Sequence, residues 1–175
     1  MFFIMNFVKD VTISPADLNK DLSKIIKVKL LEQILGTCNP KYGYFIKVIE
    51  IGKVKNGLIM DGTGDIVFKM KYNAVFMRPF VNEICEGIIE EIFKDVGGLH
   101  VRVGPMIVLI SHENIPTTYN FDKANLCYIN PNDNTELKIG TKVRFKYISC
   151  SQYQNDKGFM PMGTMLDNYL GYLSD

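Results

Sequence analysis

Apolar positions from Phe2 to Ile13 are rich in aromatic and β-branched side chains and predict a strand, interrupted at Lys9-Asp10. Ser14-Pro15-Ala16-Asp17 then carries helix-start chemistry: a capping serine, proline at the first position and an acid three residues after the cap. Asn19 is a second possible cap. From Asp21 to Leu35, Leu22, Ile25, Ile26, Leu30 and Ile34 recur at three- and four-residue steps, which predicts an amphipathic helix stopped by Gly36. Lys20, Lys24, Lys27 and Lys29 line much of its other face, a solvated face first and a phosphate track second. Gly36 to Gly43 reads as a loop, Tyr44 to Ile51 as a strand, Asn56-Gly57 as a turn and Leu58 to Met60 as a short strand. A further turn, Asp61 to Asp65, leads into a strand from Ile66 to Phe76. Gly62-Thr63-Gly64 opens no helix and lacks phosphate-loop spacing, so it reads as a hairpin turn.

The pattern changes at Arg78-Pro79, where proline removes a ladder donor and presses Arg78 toward an extended conformation. Phe76 to Phe80 is read as the joint between two small domains, 1–78 and 79–175. Beyond it the chain shows short strands broken by glycine, proline and asparagine, and no long amphipathic pattern. Glu83 to Val96 predicts a long strand, Gly97-Gly98 a turn or bulge, Leu99 to Val103 an alternating strand and Met106 to Ile110 an apolar one. Ser111 to Pro116 reads as a short turn or helix, and 117–135 as an irregular insertion. Thr141 to Ser151, a turn at 154–158 and Phe159 to Met165 form a final hairpin. The fold class is therefore α+β for the first half and an all-β, five-stranded Greek-key barrel of the OB type for the second.

Composition narrows the function classes. With 47% hydrophobic and 22% charged residues and no low-complexity tract, the chain is globular, yet each half alone buries a modest core and leans on its neighbour or on a partner. A net charge of +1 excludes a generally basic nucleic-acid glue and leaves room for a local basic face. Cys38, Cys85, Cys127 and Cys150 stand far apart, with two histidines in the chain, which argues against a zinc site; neither a metal nor another cofactor is expected. The N-terminal apolar run lacks the basic start and length of a signal, and no stretch approaches the roughly 18 apolar residues of a membrane span. A soluble intracellular protein is expected.

Barrels of the OB type bind single strands on one sheet face through stacking platforms and a positive groove. Alternation puts His100 and Arg102 on one face of their strand, and Lys142, Arg144 and Lys146 on one face of theirs. Phe93 and the Ser111-His112 pair fall where such a barrel would expose them. The alternative is that Phe93 is core and the charges are merely solvated. No catalytic residue is expected: Asp61 with Asp65, and Glu90 with Glu91, lack a nucleophile arrangement, and neighbours on a strand point to opposite faces.

In order along the chain, Gly36-Thr37-Cys38, Lys41-Tyr42-Gly43-Tyr44, Lys71-Tyr72, Phe76 with Arg78-Pro79-Phe80, Gly104-Pro105-Met106, Ile110-Ser111 and Ile115-Pro116 resemble the family of RNA polymerase seventh subunits and their archaeal counterparts. The tail from Met162 to Gly171 resembles the polymerase II members more than their polymerase I and III counterparts. The likeness runs end to end and rests on the ordered series, with gaps in the helix and at 117–135. It implies a truncated RNP-like domain followed by the OB-type barrel, in a nuclear, non-catalytic subunit. Such a subunit pairs with the fourth subunit as a stalk, docks on the polymerase core (the largest subunit and a small core subunit) near the clamp and RNA exit, and touches nascent single-stranded RNA. Carried onto this chain, the core-docking tip comprises Gly36, Thr37, Lys41, Tyr42 and Gly43 together with Gly57, Gly62 and Gly64. The RNA face comprises Phe93, His100, Arg102, Ser111, His112, Arg144 and Lys146; no membrane is involved.

The chain departs from the family pattern at three points. His100 stands where an aromatic is usual, His112-Glu113 replaces an Arg-His pair, and Asp61-Gly62-Thr63-Gly64 lacks the tip turn's proline and arginine. The competing reading is a free-standing OB-barrel RNA-binding protein that needs no partner. Apolar termini, Phe2, Phe3, Ile4 and Phe7 at one end and Tyr169, Leu170, Tyr172 and Leu173 at the other, speak for a partner's seat or for packing on the joint.

Overall fold

The computed structural model describes residues 1–18, 21–39, 41–54, 56–95, 97–152 and 158–174, without the Gln152 side chain. It divides into two compact units, Phe2–Arg78 and Pro79–Asp175, the latter grouped with Met1. The first unit contains β1 (Phe2–Ile13), a 3₁₀ turn (Pro15–Asp17), α1 (Leu22–Ile34), β2 (Cys38–Asn39), β3 (Gly43–Ile51), β4 (Leu58–Ile59) and β5 (Ile66–Met77). Its sheet runs β1-β5-β3-β2, with β4 also paired to β5. Lys9-Asp10 does not interrupt β1: the strand stays in register with β5 throughout, Lys9 opposite Met70 and Asp10 opposite Lys69.

Period-two alternation sends Val11, Ile13, Phe68, Met70, Tyr72, Ala74 and Phe76 to one face. There α1 covers them with Ile26, Leu30 and Ile34, all buried. Each such side chain taken from water contributes about 1.5–3 kcal/mol. The helix start differs from the expectation. Ser14 makes no side-chain cap and opens only the 3₁₀ turn, whereas the Asp21 carboxylate accepts from Lys24 N at 3.4 Å and caps α1. Asn19 and Lys20 lie outside the described residues. Gly36 has φ 71°, the left-handed stop that the sequence predicts.

The second unit contains β6 (Ile84–Ile92), β7 (Leu99–Val103), β8 (Met106–Ile110), a 3₁₀ turn (His112–Asn114), β9 (Asn120–Asp122), β10 (Cys127–Asn130), β11 (Thr135–Leu137), β12 (Lys142–Gln152), β13 (Phe159–Thr164) and β14 (Gly171–Tyr172). Strands β13, β8, β7, β6 and β12 form one sheet in that order, with β14 added beyond β12, and β13 pairs back onto β12, so the five strands close into a mixed barrel. The parallel pairing of β8 with β13 follows from the crossover through the intervening segment. Val101, Val108, Ile110, Phe145 and Tyr147 are fully buried within it. The truncated RNP-like plus OB-barrel class is thus the observed one.

Two boundaries change. β6 ends at Ile92 rather than Val96, because the chain turns back at Phe93. The stretch read as an irregular insertion, 117–135, holds β9 and β10 and leads into β11, a three-stranded meander whose Tyr128 and Leu137 are buried. Of the hairpin turn expected at 154–158, residues 154–157 lie outside the described residues. Among the described residues, no helix is long and apolar enough to cross a membrane.

Candidate nucleic-acid interface

The β6–β7 connection builds the main feature. Phe93 N–H donates to Gly98 O at 2.9 Å, and Gly97 N–H donates to Phe93 O at 2.9 Å. Gly97 has φ 69°, and a Cβ on Gly98 would lie 3.2 Å from Phe93 Cδ2, so the glycine pair lets the ring fold back. Phe93 then meets His100 edge-on, ring centroids 4.4 Å apart. Phe93, Gly98, His100, Leu109, Ser111 and His112 line an open cleft of about 340 Å³. Phe93, His100, Ser111 and His112, expected at an RNA face, are therefore brought together.

Hydrogen bonds fix the cleft's polar edge. Tyr128, wholly buried, donates its hydroxyl proton to Gly97 O. With that proton committed, its oxygen accepts from Nδ1–H of His112 at 2.8 Å, an arrangement in which the neutral ring presents Nε2 as an acceptor. Burial pushes the Tyr128 phenol up to about 12. The His100 ring donates through Nδ1 to Glu91 Oε2 at 3.1 Å, an arrangement in which the neutral ring presents Nε2 as an acceptor. Ser111 Oγ accepts from Asn114 Nδ2 at 2.6 Å. The cleft so offers one phenyl ring, two imidazoles and a hydroxyl. Tyr128 was missed by sequence reasoning because it sits in the stretch read as irregular.

The expected cations lie elsewhere. Arg102 donates to both carboxylate oxygens of Glu90, Nε–Oε2 at 3.1 Å, and that acid holds its guanidinium further toward the charged form. Arg144 reaches Glu86 at 2.7 Å and Lys142 reaches the same acid at 3.3 Å; the two hold the Glu86 carboxyl below its ordinary range. Lys146 pairs with Asp167. Arg102, Arg144 and Lys146 do not line the cleft, and each is matched by an acid rather than contributing to a positive groove. The expectation that Glu90 and Glu91 face opposite ways also fails: a bulge between Ile89 and Glu91 exposes both.

The residues expected at one tip separate. Cys38 and Asn39 pair with Tyr44 and Gly43, and Tyr44 sits opposite Met77, so the loop 36–43 lies at the C-terminal end of β5. Thr37 Oγ donates to Ile34 O at 2.6 Å, Lys41 Nζ stands 5.3 Å from the Tyr42 ring centroid, and Arg78 Nη1 donates to Lys41 O at 2.6 Å. Leu58 and Ile59 pair with Val67 and Ile66 at the other end. Eleven strand steps, about 35 Å, lie between the two places. The bulges that β3 needs to follow β5 do not shorten this. Gly57 packs on Ile66 and Phe68, where a Cβ would meet side-chain atoms at 2.4 and 2.8 Å, and Gly62 and Gly64 take φ 88° and 70° in the turn. That second segment, with Leu58, Ile59 and Met60 exposed, is the more apolar of the two.

Residues 9–64 match the family described as "SHS2 domain found in N terminus of Rpb7p/Rpc25p/MJ0397". Over 176 residues the chain is 28% identical to DNA-directed RNA polymerase II subunit RPB7 of Glycine max, covering 100% of this chain and 98% of the relative. It is 27% identical to DNA-directed RNA polymerase II subunit 7 of Arabidopsis thaliana over the same shares. Against DNA-directed RNA polymerase II subunit RPB7 of Saccharomyces cerevisiae it is 27% identical, covering 98% and 99%.

Proposed function

The chain belongs to the family of RNA polymerase II seventh subunits, and on that premise we propose that it works by binding rather than catalysis, as a nuclear stalk subunit. It pairs with the fourth subunit, docks through its first unit on the polymerase core near the clamp and RNA exit, and contacts nascent RNA through its barrel. The observation that carries the RNA contact is the cleft of Phe93, His100, Ser111 and His112. A nucleobase lying against Phe93 would gain roughly 1–3 kcal/mol from stacking, and its amino edge has two imidazole acceptors to meet. Because Arg102, Arg144 and Lys146 are matched by acids, phosphate contact contributes little and the affinity for isolated RNA is modest.

The test is to purify the chain with the fourth subunit, bind 4-thiouridine-labelled oligouridine and map the cross-links. A one-to-one pair whose cross-links fall on the 93–112 segment and weaken severalfold in Phe93→Ala supports the proposal. A chain that stays monomeric beside the fourth subunit, or cross-links confined to other surfaces, overturns it.

A further inference from the structure

Charge is divided unequally between the two units. Residues 2–78 carry twelve lysines and arginines against seven acids, whereas residues 79–175 carry eight against twelve. In the barrel unit, Arg102, Lys138, Lys142, Arg144 and Lys146 each lie within 4 Å of a carboxylate. The first unit differs. Its helix lysines Lys24 and Lys29 pair with Asp21 and Asp17. Lys53, Lys69 and Lys71 make no ion pair or side-chain hydrogen bond among the described residues.

These three lysines surround one place. Lys69 and Lys71 stand two apart on β5 and project from the face opposite α1, about 7 Å from each other. Gly52 N–H donates to Lys71 O at 2.8 Å, which draws Lys53 alongside. Val8, across β1 from Lys71 and 60% exposed, completes an open cleft of about 290 Å³ with Gly52 and the three lysines. The floor is apolar, made of Val8 and the lysine stems, and the rim is cationic. The acids that share the face are Asp10, directly across from Lys69 but beyond ion-pair distance, and Glu50, engaged by Asn73 Nδ2 at 3.5 Å. No aromatic side chain lines the cleft, so it offers nucleobases no platform.

Like charges gathered around an apolar floor repel one another until an opposite charge arrives. We propose that this cleft docks an extended acidic protein segment, one apolar side chain seated on Val8 and flanking carboxylates on Lys53, Lys69 and Lys71. The inference is independent of RNA binding by the barrel, since it uses a different unit and an unrelated ligand chemistry.

The full chain, paired with the fourth subunit if needed for solubility, is titrated into a fluorescein-labelled peptide with a central leucine between runs of aspartate and glutamate. Anisotropy is expected to show saturable binding that weakens with salt. The triple variant Lys53→Glu/Lys69→Glu/Lys71→Glu should lose more than tenfold. Val8→Ser, a surface change that leaves charge and fold intact, should lose about threefold, as should replacing the peptide's leucine by serine. Lys24→Glu/Lys27→Glu on α1 should stay within twofold. Equal losses from the α1 and cleft variants would mean nonspecific attraction and overturn the proposal. So would indifference to both serine replacements, or displacement of the peptide by oligouridine with the same sensitivity to the triple variant.

Discussion

His100 on β7 donates through Nδ1 to Glu91 Oε2 on β6 at 3.1 Å, a contact made possible because the bulge at Glu90 exposes two consecutive acids. Glu91 takes the histidine and Glu90 the arginine two residues along, so the Arg102 charge is already matched by an acid on β6.

Releasing one of these partners should raise RNA affinity. Glu90→Ala leaves Arg102 without its bidentate acid, so binding to oligouridine should strengthen two- to fivefold. The slope of log affinity against log salt should steepen by about 0.7, the signature of one added single-strand phosphate contact. Arg102→Ala alone should change affinity less than twofold. Anisotropy titrations at several salt concentrations check both, and an unchanged slope in Glu90→Ala would count against Arg102 lying on the RNA path.

How much of this was legible in the sequence follows from what sets each feature. Strands β1, β5, β7 and β8 and helix α1 declare themselves, because the periodicity of Val11 to Ile13 or of Leu22 to Ile34 is the burial pattern itself. The gathering of Phe93, His100, Ser111 and His112 could be anticipated from strand ends. What strict alternation cannot express is a bulge, and one bulge reassigns Glu90. Nor does polarity along 117–135 disclose a meander whose Tyr128 hydroxyl reaches back 31 residues to Gly97. The separation of loop 36–43 from turn 57–64 depends on register along β5, which only long-range pairing settles.

Gly43 is the position where backbone conformation admits no alternative. Its φ is +95°, and a Cβ there would lie 2.3 Å from Met77 O, a main-chain atom held by the β3–β5 ladder. Gly43→Ala should destabilise the first unit by about 2–3 kcal/mol. Gly36→Ala, with φ +71° but open space around it, should lose about 1 kcal/mol. Urea unfolding monitored by probes in the first unit checks the order; equal costs would show that the Met77 contact relaxes.

Tyr128 makes the barrel sensitive to alkali. Its phenol is pushed from 10.0 up to about 12 by burial, so the folded state holds the proton more tightly than the unfolded chain. The associated stability is fully present below pH 10, falls by up to 1.36 kcal/mol per pH unit between 10 and 12, and is lost above that window. Burial also raises Tyr147, so the decline is shared. Tyr128→Phe should cost about 1–2 kcal/mol near neutral pH by leaving Gly97 O and His112 without their partner. It should also flatten the alkaline decline. Denaturant titrations at pH 8, 10 and 11 give both readings, and an unchanged alkaline slope would mean that Tyr128 ionises without opening the fold.

The core contact proposed for the first unit is expected at one of its two separated segments. Leu58 and Ile59 are 70% and 71% exposed and are held to β5 through main-chain pairing, so their side chains contribute little to folding. Each would release about 1.5–3 kcal/mol if a partner covered it, whereas an aspartate in the same seat would have to be desolvated unpaired. Leu58→Asp/Ile59→Asp should therefore leave unfolding within about 0.5 kcal/mol of the parent and reduce retention on immobilised polymerase core by more than tenfold. Lys41→Ala/Tyr42→Ala, at the far end of β5, should affect retention less than threefold. The reverse ranking would place the contact at loop 36–43, where Arg78 already organises the Lys41 carbonyl.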